Sequence, residues 1–226
     1  MPDTEYVIEI IGEGKTDRGA TKGMPAVDRP GRGVLSNLVH CLCDYHPAMR
    51  VRGLPMPFVQ RGGFDRKVEF AKQEASYRKS DGLVFVIDTE GKHRKAIKEV
   101  IAGRDRRYGE LPTAVGVAHP CIEAWLLSDV TAIKTALQPS VDPSITDQPE
   151  SLPAPCENRA HNPKTVLAGC AGRFGELTVS EKSAIAKQMR DMALVRTRCP
   201  TSFAPFADEV IQHIKPLFDA APAASE

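Results

Sequence analysis

Short apolar runs recur along the first half of the chain, separated by more polar stretches. Residues 4–11 are rich in β-branched side chains and stop at Gly12, and residues 83–87 form a continuous apolar run that ends at Asp88. Runs of this kind are typical of strands in a parallel sheet that is covered on both faces. The pattern predicts strands at both places and two further strands, at residues 56–60 and Thr113–Ala118.

Between these runs, apolar residues recur every three or four positions, which is the spacing of a helix with one buried face. Helices are predicted on this basis at residues 34–45, 64–79, 92–102, 121–127, 132–137, 164–170, 180–189 and 204–218. Strands and helices therefore alternate, which favours a parallel sheet with helices on both faces and ligands at the carboxyl ends of its strands. The predicted fold class is α/β: a Rossmann-like parallel sheet flanked by helices, with a helical C-terminal extension.

The same pattern divides the chain into three parts. Residues 1–137 contain the predicted sheet and form the core. Residues 138–163 carry six prolines and many small polar residues, which is typical of an irregular connection or a flap. Residues 164–226 are predicted to form a helical extension that packs on the core.

Composition limits the classes of protein to which this chain can belong. Its 226 residues, 42% of them hydrophobic, suffice for one good core with an appendage or for two small domains. The formal net charge of +1 means that any contact with nucleic acid must come from local basic surface. No apolar run approaches the roughly 20 residues of a membrane helix, and the N-terminal residues lack the regions of a signal peptide. We therefore expect a cytoplasmic protein without a membrane partner.

A polar segment with two acidic residues, E-G-K-T-D, follows the first predicted strand. Its glycine lets the backbone approach a ligand, and Glu13 and Asp17 can converge where the chain turns. A phosphate-binding loop is the alternative, but its G-x-x-x-x-G-K-[ST] spacing is absent because Glu9 stands at the position of the first glycine. The segment is therefore interpreted as a source of metal ligands.

Two further acidic sites follow the predicted strands. Asp88 and Glu90 leave the most hydrophobic strand two residues apart, and side chains with this spacing point the same way in an extended chain, so both can bind one hard cation. A solvated acidic turn is the alternative for this pair. Glu123 lies on a predicted helix that is otherwise apolar, where an unpaired carboxylate would be costly. A metal ion or a basic partner would relieve that cost, and both interpretations stay open.

In chain order, these segments read E-G-x-T-[DE], then D-x-[DE]-G, then P-x-I-E-A-W-L-L-x-D. This order resembles the Toprim-like proteins of the RloB and overcoming-lysogenization-defect nuclease type. Residues 162–165, N-P-K-T, and residues 198–206 resemble further landmarks of a bacterial group described as a domain of unknown function. The resemblance covers most of the chain.

The resemblance implies a compact Toprim fold with roles for the acidic residues. Glu13 would serve metal binding or general acid/base work, and Asp88 and Glu90 would bind Mg²⁺ or Mn²⁺. The usual form of that pair is D-x-D, so Glu90 is a departure whose longer side chain would shift the metal or suit a different ion. Asp17 and Glu123 match acidic positions that would complete a second metal site. Such proteins are often bacterial defence components that work beside an ATPase of the ABC type, which makes that ATPase an expected partner.

The chemistry of phosphodiester cleavage agrees with these roles. Metal ions held by carboxylates make a nucleophilic water more acidic and neutralise the charge of the leaving oxygen. Lys92 is predicted to act as a catalytic residue that contacts the scissile phosphate, with an ordinary surface lysine as the alternative. The predicted nucleic-acid-binding residues are basic side chains on the same side of the sheet, namely Lys15, Arg18, Arg61, Arg94 and Lys95, for which an ordinary charged surface is the alternative.

The sequence therefore predicts a Mg²⁺-dependent nuclease of the Toprim type that cleaves DNA or RNA, as an effector of a bacterial anti-phage system. The runner-up is a different class of protein: a subunit with a degenerate Toprim site that docks on and regulates an ABC-type ATPase. A third class, nucleotidyl or phosphoryl transfer, has less support because no pocket for a nucleotide base can be read from the sequence.

Overall fold

The computed structural model describes residues 5–12, 33–59, 61–89, 93–106, 110–139, 147–173 and 175–219. Four strands lie within these ranges: β1 (Tyr6–Ile11), β2 (Met49–Gly53), β3 (Gly82–Asp88) and β4 (Thr113–Ala118). They form one parallel sheet in the order β2-β1-β3-β4. The predicted α/β fold class, with a Rossmann-like parallel sheet, is therefore confirmed.

Helices connect and follow the strands. In chain order they are α1 (Val34–Leu42), α2 (Phe64–Tyr77), α3 (His93–Asp105), α4 (Ile122–Leu127), α5 (Val130–Leu137), α6 (Pro163–Cys170), α7 (Val179–Gln188), α8 (Met192–Arg198), α9 (Phe203–His213) and α10 (Pro216–Asp219). A short 3-10 helix, Pro149–Ser151, lies between α5 and α6. No helix of the described residues is long and apolar enough to cross a membrane.

The sheet has a hydrophobic core on each face, because successive side chains of a strand point to opposite sides. On β3, Leu83, Phe85 and Ile87 join a core with α2 and α3, whereas Val84 and Val86 join a larger core with α1 and with α4 to α10. Burial on both faces explains the continuous apolar run of this strand. The helices after α5 pack in the larger core and form the predicted C-terminal helical part.

The second strand is not where the sequence pattern predicts it. The predicted strand at residues 56–60 is wrong, because β2 lies earlier in the chain and the segment after it has no regular secondary structure among the described residues. Two arginines interrupt any apolar run in β2, and one of them, Arg52, pairs with the buried Glu9 of β1 at 2.6 Å. An outer strand held by such ion pairs lacks the apolar pattern on which the prediction depends.

The C-terminal helices also differ from the prediction. The helix predicted at residues 204–218 is two helices, α9 and α10, because Pro216 has no N–H to continue α9 and its ring opposes the preceding turn. The sequence pattern also missed α8. This short helix begins after Asp191, whose side chain accepts a hydrogen bond from the N–H of Leu194 at 2.9 Å. Such a cap stabilises a helix that has little apolar periodicity of its own.

A glycine allows α9 to lie close to β4. A Cβ atom built on Gly116 would be only 2.6 Å from Cδ2 of Phe206. The ring of Phe206 stacks on Trp125 of α4, with centroids 5.1 Å apart. Ser202, just before α9, accepts a hydrogen bond from Nε1 of Trp125 at 2.7 Å, and its N–H donates to Glu150 at 2.8 Å. These contacts hold α4, α9 and the 3-10 helix together beside β4.

We expect Gly116→Ala to lower the free energy of unfolding by about 1–3 kcal/mol, because the added methyl group overpacks the contact with Phe206. Gly169→Ala is the matched control, since it adds the same methyl group in α6, where nothing lies within 4 Å. That variant should be neutral or more stable by up to about 1 kcal/mol, because alanine favours a helix. Urea unfolding measures both values. Equal stabilities of the two variants would contradict the close approach of α9.

Candidate functional site

The carboxyl ends of β1, β3 and β4 point to the same edge of the sheet, where β3 and β4 extend further than β1. In the register, Ile11 of β1 pairs with Phe85, and Asp88 of β3 pairs with Ala118 of β4. The chain passes from β1 outwards to β2 and from β3 the other way to β4, so the connections diverge between β1 and β3. In parallel α/β sheets, ligands bind at this divergence, outside the carboxyl ends of the strands. We call the region that follows Ile11, Asp88 and Ala118 the carboxyl edge.

Part of the predicted site lies outside the described residues. This is true of the predicted metal ligands Glu13, Asp17 and Glu90, of the predicted catalytic Lys92, and of Lys15 and Arg18 among the predicted contacts to nucleic acid. The structure describes the other members, which are Asp88, Glu123, Arg61, Arg94 and Lys95.

Asp88 is the last residue of β3 and is partly exposed at the carboxyl edge. Its Oδ1 accepts a hydrogen bond from the backbone N–H of Ile122 at 3.1 Å. Because Ile122 begins α4, this bond ties the end of β3 to the helix that carries Glu123. The start of a helix also stabilises a negative charge. Asp88 is therefore held at the strand end where the sequence predicts it.

Glu123 is buried and pairs with a lysine. Its Oε1 lies 2.5 Å from Nζ of Lys182 in α7, and the two side chains are only 4% and 6% exposed. Burial raises the pKa of Glu123, but the positive charges of Lys182 and Lys164 lower it more, so the pKa lies below its ordinary value of 4.5. Its other oxygen, Oε2, is buried and accepts no hydrogen bond from the described residues. A basic partner for Glu123 is therefore present, and Oε2 has no hydrogen-bond partner in the described ranges.

A second lysine and a second carboxylate extend this pair. Nζ of Lys164, in the first turn of α6, lies 4.0 Å from Oε1 of Glu176, and Nζ of Lys182 lies 3.7 Å from Oε2 of the same residue. Burial lowers the pKa of Lys164, yet the negative charges of Glu123, Glu176 and Asp88 raise it above its ordinary value. We call Asp88, Glu123, Lys164, Glu176 and Lys182 the charged cluster.

Three members of the charged cluster were not predicted as site residues. Lys164 falls in the N-P-K-T segment, whose resemblance to a family landmark was a signal that this position matters. Lys182 and Glu176 belong to no recognisable motif. The packing of α7 against α4 brings Lys182 to Glu123, and no local pattern in the sequence indicates that packing.

Cys121 lies beside the charged cluster but is poorly suited to act as a nucleophile. Burial raises the pKa of its thiol, and the negative charges of Glu123 and Asp88 raise it further. Nucleophilic attack requires the thiolate. The thiol therefore stays protonated at neutral pH, and covalent catalysis by this residue is disfavoured.

Two histidines lie together at the carboxyl edge. His93 begins α3 and His119 follows β4, and their ring centroids are 5.3 Å apart. Nδ1 of His119 is 3.3 Å from Oγ1 of Thr89, the residue after Asp88. Burial, and then the charge of His119, lower the pKa of His93 below its ordinary value of 6.5. The ring of His93 is therefore neutral at neutral pH and can accept a proton.

The three described residues among the predicted nucleic-acid contacts are all exposed. Arg61 lies between β2 and α2, and Arg94 and Lys95 lie in the first turn of α3. These segments follow the carboxyl ends of their strands, so the connectivity brings all three residues to the same side of the sheet. Lys95 pairs only loosely with Glu99, at 3.7 Å. Their charges can attract phosphates without specifying a base.

The described residues do not by themselves form a metal site. Within the described ranges, no group of three or more histidine, cysteine, aspartate or glutamate side chains is placed to hold a metal ion. Asp88 and Glu123 carry carboxylates, the ligands that Mg²⁺ prefers, and Oε2 of Glu123 lacks a described partner. Each of these side chains can contribute an oxygen ligand to a divalent cation. A centre with three or more ligands therefore depends on Glu13, Asp17 or Glu90.

Known proteins supply no further assignment for this site. Comparison of the chain with protein-family models, with curated proteins and with solved structures found no match in any of the three. The carboxyl edge and the charged cluster are therefore the observations on which a function rests.

We expect Lys182→Met to lower the free energy of unfolding by about 3–5 kcal/mol, because it leaves Glu123 buried without its partner. Without Lys182, burial raises the folded-state pKa of Glu123 above the unfolded value. This variant should therefore be least stable at pH values above the raised pKa. It should regain stability as the pH falls towards 4.5. Urea unfolding at about pH 5 and about pH 8 measures the effect.

The double variant Glu123→Gln with Lys182→Met is the control for this prediction. It removes both charges, so it should recover most of the lost stability and should lack the added pH dependence. If Lys182→Met were as stable as the wild type at both pH values, the ion pair would contribute nothing to stability.

Proposed function

We propose that this protein is a nuclease of the Toprim type that uses Mg²⁺ or Mn²⁺ to cleave phosphodiester bonds of DNA or RNA. The observation that carries the proposal is the position of Asp88, which ends β3 at the carboxyl edge, on the strand next to β1. Glu13 follows Ile11 by two residues in the sequence. Two acidic residues therefore follow neighbouring strands between which the connections diverge, the place where parallel α/β sheets bind ligands.

Carboxylates suit the proposed metal ion. Glu13, Asp88 and Glu90 would hold it, with Asp17 and Glu123 as further ligands, because Mg²⁺ and Mn²⁺ prefer oxygen. The bound ion would make a water molecule more acidic and would neutralise charge on the leaving oxygen. The buried Oε2 of Glu123 supports the assignment, since a cation would satisfy an oxygen that has no partner in the described part of the chain.

Other side chains would prepare this site for cleavage. A backbone N–H of α4 fixes Asp88, so its orientation does not have to be set when the substrate binds. Lys182 keeps Glu123 ionised, which is the form that binds a cation. His93, beside His119, is neutral at neutral pH and would accept a proton. Lys92 would contact the scissile phosphate as a point charge.

Basic residues would hold the substrate: Lys15 and Arg18, together with the exposed Arg61, Arg94 and Lys95. Each phosphate that such a residue neutralises adds affinity that depends on salt and not on base sequence. The cellular setting is part of the proposal: a cytoplasmic effector of bacterial anti-phage defence that works beside an ABC-type ATPase. That setting rests on the resembled family alone.

The ion pair of Glu123 with Lys182 favours a second candidate function. Lys182 occupies one oxygen of a predicted ligand, and Glu90 stands where the resembled family has aspartate. Both properties suit a subunit whose Toprim site is degenerate, which would dock on an ABC-type ATPase and regulate it. The two functions differ in whether nucleic acid is cut and whether the cutting requires Asp88.

We expect Asp88→Asn to reduce the rate of cleavage at least about 100-fold with Mg²⁺ or Mn²⁺, because it removes a charge that holds the metal. The amide keeps the size of the side chain and an oxygen that can accept the hydrogen bond from Ile122. Cleavage of labelled single-stranded DNA, duplex DNA and transfer RNA, followed on denaturing gels, measures the rate.

Asp81→Asn is the matched control for this experiment. Asp81 immediately precedes the opposite end of the same strand, where its Oδ2 accepts a hydrogen bond from the N–H of Val7 at 2.7 Å. This variant should cleave at the wild-type rate. Equal cleavage by both variants would exclude a metal-binding role for Asp88. Absence of cleavage even by the wild type, with a co-purifying ATPase added, would favour the docking subunit.

A further inference from the structure

A groove beside the charged cluster is formed by α6 and the segments on either side of it. Polar and charged side chains from six residues line it: Arg159, Asn162, Lys164, Thr165, Arg173 and Glu176. Its volume is about 420 Å³. We call it the α6 groove.

Basic side chains predominate in the α6 groove. It contains Arg159, Lys164 and Arg173, against the single carboxylate of Glu176. Arg159 is exposed and forms no ion pair with the residues that the structure describes. Arg173 is 56% exposed and pairs with Glu181 at 2.6 Å. The residues that line the groove therefore carry net positive charge, and the guanidinium group of Arg159 has no ion-pair partner in the described part of the chain. Both properties suit a ligand with phosphate groups.

The start of α6 does not itself provide the binding groups. The side chain of Asn162 caps this helix and accepts hydrogen bonds from the N–H groups of Lys164 and Thr165, at 3.0 and 3.2 Å. Those backbone donors are therefore already satisfied. The side-chain charges of the groove remain as the feature that recognises an anion.

Lys164 connects the α6 groove with the carboxyl edge. Its Nζ lies 4.0 Å from Glu176 within the groove, and the charges of Asp88 and Glu123 act on it from the other side. A chain of phosphates that lies in the groove would therefore continue towards Asp88.

We propose that the α6 groove binds the sugar-phosphate backbone of the nucleic-acid strand that is cleaved at the carboxyl edge. This inference deepens the proposed nuclease function and rests on it. Arg159 and Arg173 each hold a phosphate, and Lys164 exchanges Glu176 for the phosphate nearest to Asp88. None of the three basic residues belongs to the set of contacts predicted from the sequence.

In the free protein, the negative charge of Glu176 disfavours binding of a phosphate in the groove. Its side chain is 62% exposed, and its oxygens lie 4.0 and 3.7 Å from Nζ of Lys164 and Lys182. A phosphate that approaches these lysines must displace the carboxylate. Removal of its charge should therefore strengthen binding of nucleic acid, whereas a purely structural role for Glu176 would leave binding unchanged or weaken it.

Fluorescence anisotropy with labelled single-stranded DNA, single-stranded RNA and duplex DNA, in EDTA, measures binding without cleavage. We expect Arg159→Gln to weaken binding roughly fivefold to tenfold, and its combination with Arg173→Gln to weaken it at least about 30-fold, for all base sequences. Each arginine removed should lower the slope of log affinity against log salt by about 1. Glu176→Gln should bind several-fold more tightly. Thermal melting confirms that these variants fold.

Arg78→Gln is the matched control for the arginine variants. Arg78 is an exposed arginine paired with Glu74 at the end of α2, beside the opposite edge of the sheet, and its replacement should leave binding unchanged. If the double arginine variant binds as tightly as Arg78→Gln, the groove assignment is overturned. Equally tight binding of polyglutamate would overturn it as well, because the ligand would then be an acidic peptide.

The cleavage assay distinguishes a failure of the groove proposal from a failure of the proposed nuclease function. Cleavage that requires Asp88, with binding that does not require Arg159 and Arg173, would refute the groove and leave the nuclease. Binding that requires both arginines, without any cleavage that requires Asp88, would refute the nuclease and leave a groove that binds nucleic acid.

Discussion

The parallel sheet is buried on both faces by helices, and the rest of the structure depends on this constraint. β3 and β4 are buried along almost their whole length, with α2 and α3 on one side and the other helices on the opposite side. Polar groups in the middle of such strands are kept from water, so charged chemistry is confined largely to the strand ends. The carboxyl edge accordingly contains Asp88, Glu123 and two histidines, where side chains can be polar and still stay fixed by the core beneath them.

Two buried glutamates show how the protein stabilises charge within its core. Glu9 lies in the middle of β1 with no exposed surface, pairs with Arg52 at 2.6 Å and accepts a hydrogen bond from Ser80 at 2.9 Å. Burial outweighs these partners and raises the pKa of Glu9. At Glu123, the nearby lysines outweigh burial and the pKa is lowered. Glu123 therefore holds its charge more firmly than Glu9, although both are buried, and is the better suited of the two to face a cation.

The sequence predicts the elements whose structure depends on their own residues and not on contacts with distant parts of the chain. β4 lies at the predicted residues because burial on both faces leaves a continuous apolar run. β2 was missed because its arginines are stabilised by Glu5, just before β1, and by Glu9, within β1. Within the site, Asp88 was predictable because it ends such a run, and Glu123 because a carboxylate on an apolar helix requires a partner. The identity of that partner, Lys182, depends on the packing of two helices that are distant in the chain. The roles of Glu13, Asp17 and Glu90 stay predictions.

The ion pair between Glu9 and Arg52 also fixes the alignment of β1 with its neighbour. The two residues face each other in the register of β1 and β2. A slip of β1 by one residue would turn Glu9 into the opposite core and away from Arg52. It would also displace the end of β1 by about 3.3 Å, whereas catalytic groups tolerate only about 0.5 Å of misplacement. The ion pair in the middle of the sheet thus fixes the register of β1 and, with it, the position of the end of β1 at the carboxyl edge.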